Sequence, residues 1–264
     1  TVALDYSVSQ VDYLDAQDQQ VASGYYIKSA SDYTLSSYKS SVFHIGRNFI
    51  DTITKYDAQS PEVAAWSYST QDNQDSTSRN PYVLVSASET KAYLLRYASS
   101  KVWIVNPSAT NAENFKIGEL DLSSYIPENN TGDTPSPASA VINDGKLYIA
   151  MQRLSDDFTA NTAYVAIFDV DTDTEIETLA NNEDTVMGIP LAGINPLENS
   201  VITTNDTVYV TTSNVWNSTD LSLSRIEAIS TGDYAIRQVL NATDITDNTV
   251  TLLTHRAEAR SAKG

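Results

Sequence analysis

Residues Ser139–Asp169 read SAVINDGKLYIAMQRLSDDFTANTAYVAIFD, three short apolar runs separated by polar residues. The runs lie at 139–145, 146–151 and 162–169. Asp144-Gly145, between the first two runs, is a dipeptide that favours a two-residue hairpin turn. Short apolar runs bounded by turn residues are typical of β-strands. The stretch therefore predicts three consecutive antiparallel strands.

The same pattern of strands recurs along the chain. In the copy that begins at Ser139, a fourth strand is predicted at 174–179. The other copies, the last of them weaker, are 81–88, 91–96, 101–107 and 115–122; 199–204, 207–212, 222–229 and 234–240; and 41–46, 51–57 and 63–68. The period is roughly fifty to sixty residues, which indicates a repeat architecture. One such unit cannot bury both of its faces alone, so we expect the units to pack against one another.

Four antiparallel strands per repeat predict an all-β fold, a β-propeller of four-stranded antiparallel blades. About five blades are readable. Segments 11–15 and 20–22 resemble outer strands of a blade, whereas 248–254 resembles an inner strand. If these ends share one sheet, the ring closes with about five blades; the alternative is that the chain is part of a seven-bladed architecture. We assign residues 1–255 to one propeller domain and 256–264 to a polar C-terminal tail.

Two of these phrases carry a family resemblance. Gly145–Ala150 followed by Tyr164–Thr178 resembles the YVTN-type repeat of bacterial surface and periplasmic β-propellers, in which a strand ending in Asp turns through a Thr/Asn-rich hairpin. Similar phrases at 51–57 and 101–106 extend the resemblance over most of the chain. The resemblance implies a propeller, and it leaves binding, adhesion, scaffold and enzymatic roles open. The chain has fewer repeats than a seven-bladed ring needs.

Charge and composition exclude several classes of function. The chain has 16 Lys+Arg against 34 Asp+Glu, a formal net charge of -18, which argues against a nucleic-acid partner. Cysteine is absent, which removes disulfides and thiolate metal sites. No apolar run approaches the length of a membrane span, and the chain opens with Thr1, as a processed chain would. We expect an extracellular, cell-surface or periplasmic protein.

Two sets of residues are candidate metal ligands. Asp169, Asp171, Asp173 and Glu175 alternate at a spacing that can bring carboxylate oxygens around calcium, although a solvated acidic turn has the same pattern. His44 and His255 are the only histidines, and a closed ring would bring the first and last blades together. These histidines are therefore either a copper site or two unrelated residues.

Trp216 is the candidate ligand-binding aromatic residue, because the polar loop 217–220 follows it. Its ring either stacks on a sugar or peptide ligand or fills the space between blades. No Gly-x-Ser-x-Gly elbow, phosphate loop or dinucleotide fingerprint is present. The leading hypothesis is a non-catalytic propeller that binds another macromolecule or joins a surface assembly. The alternatives are a surface protein that binds copper or calcium, and a hydrolase or lyase that acts through carboxylates.

Overall fold

The computed structural model describes residues 7–14, 17–178, 186–214 and 222–244. These residues form four four-stranded antiparallel sheets and one two-stranded sheet. The two-stranded sheet consists of β1 (Ser9–Leu14) and β2 (Val21–Lys28). Three short 3-10 turns interrupt the strands, at Ala112–Asn114, Ser123–Tyr125 and Ala242–Asp244. In the part of the chain that is described, no helix has the length and apolar character needed to cross a membrane.

In each four-stranded sheet, the strands are paired in the order of the sequence. Sheet 1 contains β3 (Tyr33–Tyr38), β4 (Ser41–Gly46), β5 (Thr52–Asp57) and β6 (Ser60–Ser69). Sheet 2 contains β7 (Pro81–Ser86), β8 (Ala92–Arg96), β9 (Lys101–Val105) and β10 (Lys116–Asp121). Sheet 3 contains β11 (Pro137–Asn143), β12 (Lys146–Met151), β13 (Tyr164–Asp169) and β14 (Ile189–Pro190). Sheet 4 contains β15 (Val201–Thr204), β16 (Thr207–Thr212), β17 (Arg225–Ser230) and β18 (Ile236–Asn241).

The hydrophobic core lies between neighbouring sheets, and the strand alternation explains why. In β8, Tyr93 and Leu95 belong to a cluster shared with sheet 3, whereas Ala92 and Leu94 belong to a cluster shared with sheet 1. A third cluster joins sheets 3 and 4. Because side chains point alternately to the two faces of a strand, an apolar run without alternation is buried on both faces.

The first strands of consecutive sheets contact one another: β3 contacts β7, β7 contacts β11, and β11 contacts β15. The sheets therefore stack face to face with their first strands on the inside, which is the arrangement of propeller blades. This confirms the predicted all-β fold and its four-stranded units. The predicted strand at 248–254 and the predicted tail at 256–264 lie outside the described residues.

Two details of the strand prediction differ from the structure. The fourth strand of sheet 3 is Ile189–Pro190, and the predicted strand at 174–179 was wrong: its described residues form one isolated bridge between Phe168 and Glu175. The structure also adds β3 to the weaker copy, in which the sequence analysis placed three strands. This strand, YTLSSY, lacks a continuous apolar run and is only partly buried.

Candidate functional site

Charged and aromatic side chains from several sheets meet at one end of the stacked sheets. In an antiparallel sheet, the segment that enters the first strand and the turn that joins the second strand to the third lie at the same end. We call this the entry end, which comprises the connections leading into β3, β7, β11 and β15 and those after β4, β8, β12 and β16. The opposite end carries the hairpins between first and second strands, and we call it the hairpin end.

Arg47 lies at the entry end, directly after β4. Its Nη1 is 2.7 Å from Oε2 of Glu198, and its Nε is 3.1 Å from Oδ1 of Asp32. The guanidinium carbon lies 4.0 Å from the ring centroid of Tyr82. Glu198 precedes β15 and also accepts a hydrogen bond of 2.7 Å from Thr34 Oγ1. These contacts join sheets 1, 2 and 4 at one point.

Tyrosines continue the same line of contacts into sheet 3. The rings of Tyr82 and Tyr97 are stacked with centroids 4.8 Å apart, and the Tyr97 hydroxyl donates to Oε1 of Gln152 at 2.5 Å. Burial raises the pKa of the Tyr82 hydroxyl, and burial raises the pKa of Tyr97 to about 12. Both phenols are therefore neutral near pH 7 and can donate hydrogen bonds. We call Arg47, Tyr82, Tyr97, Gln152 and Glu198 the axial cluster.

The connection between sheets 1 and 2 is fixed beside this cluster. Asp75 is held by Arg79 Nε at 2.7 Å and by Arg96, whose guanidinium hydrogen-bonds the second carboxylate oxygen. Arg96 is buried and lies 4.4 Å from the ring centroid of Trp103. A buried ion pair of this kind holds a loop in one conformation even where its net contribution to stability is small. These contacts tie the connection between sheets 1 and 2 to sheet 2.

His44, a predicted metal ligand, lies in β4 inside the fold. It is 3% exposed, and its ring centroid lies 4.4 Å from that of Tyr33 and 5.8 Å from that of Tyr26. Burial, with a smaller contribution from the charge of Lys28, lowers the pKa of His44 to about 4. Its Nδ1 has no hydrogen-bond partner among the described residues. His255 lies outside those residues, so the copper pair stays a prediction.

The acidic turn after β13 lies at the hairpin end. Asp169 accepts hydrogen bonds from the backbone N–H groups of Asp171 and Thr172, at 3.0 and 2.8 Å. These hydrogen bonds, chiefly from Thr172, lower the pKa of Asp169. The carboxylate of Asp169 therefore has its hydrogen-bond partners within the turn.

Asp173 binds the preceding sheet, since Lys91 Nζ and the Tyr93 hydroxyl both lie 2.7 Å from its carboxylate oxygens. Glu175 accepts a hydrogen bond from the Tyr125 hydroxyl. The predicted calcium ligands thus bind separate donors. Within the described ranges, no group of three or more His, Asp or Glu side chains is arranged to hold a metal ion. Calcium binding stays a prediction.

Trp216, the predicted ligand-binding residue, lies outside the described residues. The sequence analysis missed the axial cluster, although a signal for it exists. Arg47, Tyr97 and Gln152 each follow closely after the second strand of their sheets. An alignment of these strand ends across the repeats would have placed the three side chains together.

Comparisons with known proteins support the fold. Neither a protein-family model nor a curated protein matches the sequence. Among solved structures, hydrazine synthase from Kuenenia stuttgartiensis matches with a TM-score of 0.56 and 12% identity, over 87% of this chain and 59% of that chain. Sqt1 from Saccharomyces cerevisiae matches with a TM-score of 0.54 and 10% identity, over 87% of this chain and 54% of that chain.

A third solved structure is virginiamycin B lyase from Staphylococcus aureus, with a TM-score of 0.52 and 9% identity, over 90% of this chain and 67% of that chain. The chain therefore spans between half and two thirds of the length of the first two structures. At these identities the similarity shows the fold alone, which is all-β and propeller-like.

Proposed function

We propose that the chain is an extracytoplasmic, non-catalytic β-propeller that engages another macromolecule or a surface assembly through its entry end. The observation that carries this proposal is the axial cluster, in which Arg47 and Glu198 link sheets 1 and 4 and stand beside the Tyr82–Tyr97 stack. Partly exposed charged and aromatic side chains that converge from several sheets are the usual composition of a binding surface.

The chemistry of the cluster favours binding over catalysis. The guanidinium of Arg47 is paired with two carboxylates, and both phenols are neutral. General acid–base catalysis needs a group that changes its protonation near the working pH. His44 does not serve this role, because it is buried against tyrosine rings in β4.

The proposal includes a ring of five blades of the YVTN type, with the fifth blade built from both ends of the chain. The two-stranded sheet supports it, since the Tyr26 ring stacks on Tyr56 of sheet 1 with centroids 3.5 Å apart. The Glu198 contacts to Thr34 and Arg47 support it as well, because they bring sheet 4 back to sheet 1. The predicted strand at 248–254, which lies outside the described residues, would then complete the two-stranded sheet.

The absence of cysteine allows a direct test. Asn48→Cys places one thiol on an exposed turn at the entry end, and Asp171→Cys places one at the hairpin end. Each variant is labelled with a photo-crosslinker and returned to the surface of the producing cells. We expect one stoichiometric adduct with the first variant and none with the second. Equal labelling at both ends, or no adduct, contradicts the proposal.

A further inference from the structure

Two phenylalanines project into solvent from the entry end. Phe49 lies in the turn between β4 and β5 and is 78% exposed, and Phe158 lies in the connection between β12 and β13 and is 74% exposed. Both connections join a second strand to a third strand, so the topology places both rings at the same end. Large apolar side chains in such prominent positions often mark interaction sites.

The backbone at both residues is left-handed. Phe49 has φ 62° and Phe158 has φ 63°, values that bulky side chains rarely adopt. Local hydrogen bonds hold each conformation: the N–H of Phe49 donates to Ser78 Oγ at 2.8 Å, and the N–H of Phe158 donates to the Ser155 carbonyl oxygen at 3.0 Å. Each position thus carries backbone strain and an exposed aromatic ring, and no packing within the described chain compensates for them.

The surroundings of Phe158 are acidic. The connection that enters β11 packs against this loop, since Asp156 accepts hydrogen bonds from the N–H and the hydroxyl of Thr131 at 2.8 and 2.7 Å. The exposed acidic residues of these two loops are Glu128, Asp133, Asp156 and Asp157. Arg153, in the same loop, donates to the carbonyl oxygens of Tyr125 and Thr162. The surface around the ring is therefore strongly negative.

We propose that Phe49 and Phe158 are the aromatic anchors of a docking surface for a polypeptide that presents cationic side chains beside apolar ones. This inference rests on the proposed function and names the class of partner. The rings supply the apolar contact, and the acidic residues beside Phe158 complement Lys and Arg of the partner. The same acidic residues, with the net charge of -18, repel nucleic acids and anionic lipids.

Substitution by asparagine separates binding from folding. Asn tolerates the left-handed backbone better than Phe does, so Phe49→Asn and Phe158→Asn should fold with an unchanged or higher Tm. The matched control is Val63→Thr, which alters a 69% exposed apolar residue on β6, the last strand of sheet 1. A loss of binding in the two Phe variants cannot then be attributed to unfolding.

The probe is a displayed library of random dodecapeptides, together with a panel of neutral oligosaccharides. We expect the selected peptides to be enriched in Lys, Arg and apolar residues. A synthetic peptide of this kind should bind each Phe variant at least about tenfold more weakly than the native chain, and Val63→Thr should bind it normally.

Selection of acidic peptides, binding of oligosaccharides alone, or no binding at all would overturn the inference. Peptides that bind native and Phe variants equally well would also overturn it, because they would dock elsewhere. The crosslinking test from Asn48 and Asp171 is independent of peptide composition. A specific adduct at the entry end would therefore preserve the proposed function even if the peptide selection fails.

Discussion

At the scale of single residues, His44 shows how packing determines the charge of a side chain. The residue lies in β4, where Phe43 and Ile45 on either side point into the core shared with sheet 2. His44 itself points to the opposite face, toward Tyr26 and Tyr33. Because the imidazole is buried and its Nδ1 has no partner in the described ranges, the neutral form is favoured.

This burial predicts a pH-dependent contribution to stability. The pKa of His44 is about 4 in the folded chain against 6.5 for an ordinary histidine, so the unfolded chain takes up the proton first as the pH falls. The contribution is complete above pH 6.5 and is lost toward pH 4, by up to about 3 kcal/mol. We expect His44→Phe to remove this part of the pH dependence.

The measurement is urea denaturation of the native chain and of His44→Phe between pH 7 and pH 4. Carboxylates also titrate in this range, but they are common to both proteins and cancel in the difference. As the pH falls below 6.5, the free energy of unfolding of the native chain should decrease steadily relative to that of His44→Phe. Parallel curves would show that His44 is not buried in its neutral form.

At the scale of strands and turns, apolar runs in the sequence correctly predicted the strands that are buried on both faces. β12 is such a case, since Leu147 and Ile149 face sheet 2 while Tyr148 and Ala150 face sheet 4. β3 is the opposite case, because the strand YTLSSY is only partly buried and hydrophobicity does not identify it. A partly buried strand without an apolar run can therefore escape a prediction based on hydrophobicity.

The fourth strand of sheet 3 was misplaced for a related reason. The segment after the acidic turn continues a strand-like pattern, but it makes only a short pairing with β13. The assigned partner, β14, has just two residues, and the segment after it is held by a side chain. Both carboxylate oxygens of buried Glu227 accept backbone N–H groups there, from Ala192 at 3.0 Å and Gly193 at 2.9 Å. A pattern of residues gives no sign of such long-range support.

The acidic turn provides a prediction at this scale. Asp173→Asn keeps a residue that tolerates the φ of 57° and removes the charge that pairs with Lys91. We expect a loss of about 1 kcal/mol in the free energy of unfolding, because the pair is only partly exposed. The control, Asp171→Asn, alters an exposed carboxylate of the same turn and should change stability by less than about 0.5 kcal/mol.

Denaturant titration of both variants checks this difference. A larger loss of stability in Asp171→Asn than in Asp173→Asn would contradict this account. A stability gain on adding calcium that Asp173→Asn abolishes would mean that the turn binds a cation in addition to linking sheet 3 to sheet 2.

At the scale of the whole molecule, the repeat predicted the stacked sheets, while the site arises from contacts between sheets that are far apart in the sequence. Arg47 and Glu198 are 151 residues apart and meet because sheet 4 returns to sheet 1. No local motif encodes this contact, so the place of Glu198 in the axial cluster could not be predicted, whereas the positions of Arg47, Tyr97 and Gln152 recur directly after second strands. The predicted site at the acidic turn came from local spacing and lies at the hairpin end, whereas His44, predicted as one of the two histidines, lies buried within β4.

The return of sheet 4 to sheet 1 is also what the proposed function depends on. If the sheets formed an open arc, Arg47 would not meet Glu198. The contact between Thr34 Oγ1 and Glu198 Oε1, at 2.7 Å, reports on this closure at the axis.

Intramolecular crosslinking of the double variant Thr34→Cys, Glu198→Cys with a short bismaleimide is the most direct measurement of that closure. The control pair is Thr34→Cys with Asp206→Cys, whose second thiol lies on the exposed hairpin turn of sheet 4. Peptide mass mapping should find the link within most monomers of the first pair and in few of the second. Equal yields for the two pairs, or links between molecules only, would contradict a closed propeller-like ring.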